Sequence, residues 1–229
     1  AIINYEKSLG NHNLSGMILY NQRDYINITA GTSIDGLPFR RQGIAARATY
    51  GYRNTYFAEF NMGYNGSENF PKGQRFGFFP SISGGWLISN EPFMENINFV
   101  NSMKIRGSYG QVGNDQIGGR RFLYLTSMNA RTAQGYLFGD QQTFWPGIDE
   151  MQIGTNNVTW EVSTKSNVGF DVSFLSNMIT VQVDAFHERR EGILIQRRTI
   201  PNMAGFNPGS IPYGNIGIAT NRGIEGMLE

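Results

Sequence analysis

The gaps between the strand-like stretches of this chain alternate short, long, short, long. Nine stretches read as β-strands. The short gaps fall at 10–13, 53–54, 90–101 and 175–177. The long ones run over 30–42, 67–77, 114–157 and 196–215. A soluble sandwich has no reason to gather its long loops at one end. A transmembrane β-barrel does, because its periplasmic turns are short and its extracellular loops long. The rhythm therefore predicts an antiparallel, up-and-down transmembrane β-barrel, here an incomplete arc. The whole of 1–229 is expected to be one such unit, with no linker between domains.

Composition narrows the function classes. The formal net charge is +1 across 229 residues, which offers nucleic acid no basic face. No run approaches the roughly 18 apolar residues of a membrane helix. Low overall hydropathy does not oppose a barrel, since only alternate residues face lipid. Cysteine is absent, which removes disulfide frameworks, Cys-ligated zinc and thiol nucleophiles. The opening Ala1-Ile2-Ile3-Asn4-Tyr5-Glu6 has no basic segment followed by an apolar one. The closing Gly223-Ile224-Glu225-Gly226-Met227-Leu228-Glu229 reads as strand. The expectation is an internal piece of a longer protein.

Alternation carries the strand assignments. Tyr56, Ala58, Phe60, Met62 and Tyr64 fall on one face, with Phe57, Glu59, Asn61 and Gly63 on the other. Tyrosines at both ends of the apolar face resemble interfacial girdles around a lipid band. Ile44, Ala46, Ala48, Tyr50 and Tyr52 repeat the pattern, as do Ile179, Val181, Val183 and Ala185. Pro80 lacks an N–H and is expected at a strand start or a bulge. Trp160, Val162, Thr164 and Ser166 share one parity, which places polar groups on an apolar face. Either a bulge near Ser163 or an extension above the membrane accounts for that. The stretch after Asn90 is expected to form one helical turn, capped by Asn90 and opened by Pro92. The phase of 216–228 is left open by its glycines.

Chemistry is thin. His12 and His187 have no partner at metal-ligand spacing. Gly107-Ser108-Tyr109-Gly110 lacks the GxSxG pattern and lies in a strand. The polar-face charges Arg47, Glu59, Lys104, Arg106, Glu161, Lys165, Asp171 and Asp184 suit a barrel lumen. They equally suit the solvent face of an antiparallel sheet. The loop at 114–157 is long for a structureless segment. It carries Arg120, Arg121, Tyr136, Phe138, Phe144 and Trp145. Arg120, Arg121, Tyr136, Phe144 and Trp145 are the candidate ligand-binding residues. Their aromatic faces can stack on sugar rings, hold the loop together, or meet a partner.

Four stretches carry a resemblance. They are Gly77-Phe78-Phe79-Pro80-Ser81-Ile82-Ser83-Gly84-Gly85-Trp86-Leu87-Ile88-Ser89-Asn90-Glu91-Pro92-Phe93 and Lys104-Ile105-Arg106-Gly107-Ser108-Tyr109-Gly110-Gln111-Val112-Gly113-Asn114-Asp115. Thr159-Trp160-Glu161 leads to Asn167-Val168-Gly169-Phe170-Asp171, and Asn215-Ile216-Gly217 to Asn221-Arg222-Gly223-Ile224-Glu225. In order and spacing these resemble SusC/RagA-type TonB-dependent outer-membrane transporters, over about 43–229.

That resemblance implies a large plugged barrel of about 22 strands in a bacterial outer membrane. It implies import of an oligomeric glycan or peptide, a SusD-like surface lipoprotein as lid, and energy from the TonB complex. No plug and no TonB box are recognisable in these residues, and no catalytic residue, metal or cofactor is implied. A non-transporting barrel such as an adhesin would share the wall. A soluble β-sandwich binding module would share the alternation.

Overall fold

Nine long strands join edge to edge in the computed structural model, which describes residues 1–31, 34–95, 97, 99–116, 118, 120–129, 135–197 and 209–229. In chain order the strands are β1 (Ile2–Leu9), β2 (His12–Tyr25), β3 (Phe39–Tyr52), β4 (Tyr56–Ser67), β5 (Phe76–Leu87) and β6 (Val100–Asn114). Four short strands follow: β7 (Ser127–Asn129), β8 (Gly135–Phe138), β9 (Thr143–Pro146) and β10 (Asp149–Gln152). The chain then returns through β11 (Glu161–Phe174), β12 (Ile179–Gln196) and β13 (Tyr213–Leu228). The sheet runs β1-β2-β3-β4-β5-β6-β11-β12-β13, every pair antiparallel, and does not close on itself. β7 pairs β10 and β8 pairs β9, so the 114–157 region carries two small sheets of its own.

Register separates the two faces. Ala48 pairs Phe60, which pairs Ile82, which pairs Tyr109. Val183 pairs Phe170, which pairs Ile105, which pairs Trp86. Cross-strand neighbours lie on the same side, so Ala46, Ala48, Ala58, Phe60, Val181 and Val183 share one apolar face, as the alternation predicts. Ile18, Phe60, Ile82, Val168 and Ile224 are exposed on it. The opposite face is polar and forms a concavity of about 550 Å³ lined by residues such as Glu6, Ser15, Glu59, Ser83, Arg106 and Asn167. The sheet thus curves with its polar face inside.

The stagger of a barrel is visible in one row. Tyr52, the last residue of β3, pairs Tyr56, the first of β4, and Tyr56 pairs Trp86 near the end of β5. The same row reaches Val183, well inside β12. Strands tilted against the barrel axis shift register in this way.

The short turns are tight. Arg53 and Asn54 have φ of 51° and 53°, the left-handed pair that a type I′ hairpin requires. Leu175, Ser176 and Asn177 have φ of 50°, 59° and 63°. The Asn101 Oδ1 holds that turn by accepting from the Ser176 and Asn177 N–H groups at 2.7 and 3.3 Å.

Four expectations need correction. β11 pairs continuously from Val162 to Ser173, with no bulge at Ser163. A bulge lies instead on β12 at Gly192, which has φ of 70°; the polar end of β11 lies at the loop end of the sheet. Trp160 precedes β11 and packs on Phe70, so it does not follow the parity of Val162. Pro80 sits within β5, not at its start, and the β5–β6 ladder begins one residue later at Ser81. After Asn90 one 3₁₀ turn, Pro92–Met94, opens at Pro92 as expected, but Asn90 ends the preceding turn Ile88–Asn90 and caps neither. Asn90 Nδ2 instead donates to the Asn54 carbonyl at 3.0 Å, tying adjacent short turns together.

Candidate ligand-capture surface at the loop end

The long loops share a core. Phe70, Leu123 and Val158 are fully buried against one another, with Trp160, Leu194 and Tyr213 around them. These side chains come from four separate stretches, so hydrophobic burial draws the loops over one end of the sheet. Phe79 joins from the inner face of β5, meeting Trp160 edge-on at 5.2 Å. A side chain at Gly77 or Gly113 would collide with the Phe79 ring, so both glycines leave room for it. The Trp160 indole N–H donates to the Arg75 carbonyl at 3.1 Å.

Polar ties complete the assembly. Arg41 Nη2 lies 2.6 Å from Asp115 Oδ1. Asn69 Nδ2 donates to the Asp115 carbonyl at 3.0 Å, and the Tyr124 hydroxyl to the Glu68 carbonyl at 3.4 Å. Asn215 donates to the carbonyls of Thr159 and Gly192 at 2.8 and 2.6 Å, locking the Gly192 bulge to the approach of β11.

The five candidate binding residues fall into two groups. Arg121 donates to the carbonyls of Asp35 and Leu37 at 3.1 and 2.8 Å, and its guanidinium lies over Phe39 and Phe122. It therefore clamps the 26–38 loop to the 114–157 region. Arg120 lies over the Tyr213 ring at 5.0 Å. Neither takes part in an ion pair among the described residues. Both line a concavity of about 530 Å³ with Asp35, Asn129 and Gln152.

Tyr136, Phe144 and Trp145 sit apart, on the β8–β9 hairpin. Tyr136 pairs Trp145 and Leu137 pairs Phe144, so aromatic groups occupy both faces of this ribbon. Tyr136 is 70% exposed and Trp145 61%, and Tyr136 meets Phe138 edge-on at 5.1 Å. A two-stranded ribbon is marginal by itself, and its rings lie largely open to solvent.

The inner wall below is a ladder of ion pairs. Arg106 makes two hydrogen bonds to Asp171, at 3.0 and 3.1 Å, and one to Asp184 at 2.6 Å. Arg47 pairs Glu59 at 3.1 Å, and Lys104 approaches the Phe57 ring at 5.9 Å. No group of three metal-ligating side chains is present among the described residues. Arg41, Asn69 and Asp115 belong to the loop-end site yet carry no local signal. They are far apart in sequence, and only the loop fold assembles them.

A family model described as "TonB dependent receptor-like, beta-barrel" matches residues 4–229. Among curated proteins, the TonB-dependent receptor P39 of Formosa agariphila is 31% identical over 205 residues, covering 90% of this chain and 18% of that protein. The TonB-dependent receptor SusC of Bacteroides thetaiotaomicron is 33% identical over 180 residues, covering 78% of this chain and 17% of that protein. The chain thus spans less than a fifth of the length of these relatives. Among solved structures, the RagAB peptide importer in its closed-closed state superposes with a TM-score of 0.79 at 19% identity, over 99% of this chain and 26% of that one. At that identity the likeness speaks for the fold alone.

Proposed function

This chain belongs to the TonB-dependent receptor β-barrel family, and from that premise we propose that it forms barrel wall and capture loops of an importer of oligomeric nutrients. Its place is the bacterial outer membrane. The observation that carries the reading is the division of the sheet. One face is a continuous apolar surface, and the other a concave polar wall. The wall leads up to loops that are knit together yet display arginines outside any ion pair among the described residues, and bare aromatic rings.

In this reading the wall strands line a passage, and the loop end meets the cargo. Tyr136, Phe144 and Trp145 offer flat amphipathic surface to a glycan or peptide, or to a SusD-like surface lipoprotein that closes over the mouth. Arg120 adds positive charge in the separate concavity that it lines with Asp35 and Gln152. The TonB complex supplies energy through parts of the protein outside this chain. A non-transporting barrel such as an adhesin would keep the wall and import no oligomer.

Deletion of 135–147 from the full-length protein separates these. The ribbon pairs only with itself, so barrel assembly should persist. Uptake of the cognate oligomer or co-purification of the lipoprotein should fall. Unchanged uptake and unchanged lid association in a correctly assembled deletion variant would reduce the ribbon to loop packing.

A further inference from the structure

On the inner side of the loop end lies a second, smaller pocket of about 260 Å³, lined by Tyr25, Phe39, Arg41, Asn69, Arg120 and Arg121 among others. Phe39 and Arg41 share the β3 parity of Arg47, and Tyr25 pairs Phe39, so the pocket opens on the polar face. The Arg41 and Arg121 guanidiniums both lie against the Phe39 ring, at 4.7 and 5.2 Å. Arg41 is neutralised by Asp115. Arg120 and Arg121 are not neutralised among the described residues, so the pocket carries excess positive charge.

The same place concentrates unsatisfied polar atoms. Arg41 Nε, Arg121 Nε, Asn69 Oδ1 and Asp115 Oδ2 are buried without a hydrogen-bond partner. Asn69 and Asp115 are only 4% and 7% exposed. Folded proteins leave few such atoms, and each calls for a reason. Here two donors on cations stand beside two acceptors. An anion answers the donors, and a group that donates twice answers the acceptors.

We propose that this pocket is a subsite for a carboxylate-bearing sugar unit of the cargo, of the hexuronate type. Its carboxylate would meet the arginines, and its neighbouring hydroxyls would donate to Asn69 on the pocket wall and, after a small rotation of Arg41, to Asp115 behind it. A peptide's C-terminal carboxylate has a single adjacent N–H and would leave one acceptor unmet. The volume suits about one sugar ring, and the exposed Tyr25 edges the site as a stacking surface. The proposal rests on the reading of this chain as part of an importer.

Calorimetry on the full-length protein in detergent tests it, with trigalacturonate, its methyl ester and triglutamate as probes. Trigalacturonate should bind, more weakly at high salt, and the methyl ester should not. Arg41→Gln and Arg120→Gln should each weaken binding about tenfold or more, the worth of a charged hydrogen bond. Arg41→Gln removes an ion pair and could disturb folding. Arg120→Gln alters an exposed side chain, so its result stands even if Arg41→Gln fails to assemble. Equal binding of the methyl ester, tighter binding of triglutamate, or no binding with only ordered water at these atoms would each overturn the proposal. Uptake of a neutral oligomer by cells without uronate binding would leave the import reading intact and sink the subsite. Uronate binding without uptake of any oligomer would do the reverse.

Discussion

Arg106 and Asp184 meet two strands apart, Nη2 to Oδ2 at 2.6 Å, directly over Gly169. Gly169 on β11 pairs Arg106 on β6 to one side and Asp184 on β12 to the other. A Cβ there would lie 2.5 Å from Arg106 Cζ and 2.7 Å from Asp184 Oδ1. The missing side chain is what lets the guanidinium bridge three strands.

Gly169→Ala should therefore push Arg106 off its carboxylates and cost about 1–3 kcal/mol, the usual range for overpacking. Denaturant unfolding of the purified barrel checks this. A neutral result would mean that the bridge shifts without loss.

Phe60 lies on the apolar face between Tyr56 and Tyr64. Phe60→Arg should cost on the order of 2–4 kcal/mol, as for a cation at mid-depth in lipid. Phe57→Gln, one face over in the polar concavity, should cost little. Spin-label accessibility gives the same test: Phe60 in acyl chains and Glu59 in water. The opposite outcome would invert the face assignment.

Loop length predicts orientation. Asn54 and Ser176 should be periplasmic and Trp145 outside. The chain has no cysteine, so single cysteines at these positions report cleanly. A membrane-impermeant maleimide on intact cells should label only position 145. Labelling at 54 instead would turn the barrel over. The corresponding expectation for Asn207 falls outside the described residues.

Phe70 is fully buried in the loop core. Phe70→Ala should cost locally about 3–5 kcal/mol, typical of emptying an aromatic site. Protease should then cut the 114–157 region faster while the wall strands survive. Equal cutting of wall and loops would show that the loop core is not a separate unit of stability.

Glu91 is held below its ordinary 4.5 by hydrogen bonds from the Tyr56 hydroxyl first and the Trp86 indole second, at 2.5 and 3.0 Å. A carboxylate whose folded pKa is depressed contributes stability above its unfolded value, and that contribution fades as pH falls through the folded one. The clasp should be fully present at neutral pH and loosen only at acid pH, below the ordinary glutamate range. Trp86 fluorescence should follow that transition, and Glu91→Gln should flatten it. A transition near neutral pH would assign the change to another group.

Much of the wall was legible because strand alternation is local. Phe60 and Ala48 read as one face from their own neighbours, and the register agrees. Alternation failed at Trp160, where the chain leaves the sheet and burial against Phe70 outweighs parity. Of the two alternatives it left at Ser163, a bulge or an extended strand end, β11 shows the extension, while the bulge at Gly192 on β12 is held by a contact from Asn215 on the next strand. At the loop end, Arg120 and Arg121 were visible as unexplained charge. Their division of labour was not: Arg121 is a clamp because Asp35 and Leu37 happen to fold beneath it.

By itself the sequence determined the antiparallel wall, its two faces and its family likeness. These follow from a two-residue period and the spacing of turns, which act between near neighbours. Only the tertiary structure decided how the loops close over the inner face and bring Arg41 to Asp115 and Asn69. Those contacts join stretches distant in sequence, and burial of Phe70, Leu123 and Val158 holds them together, which no local pattern records.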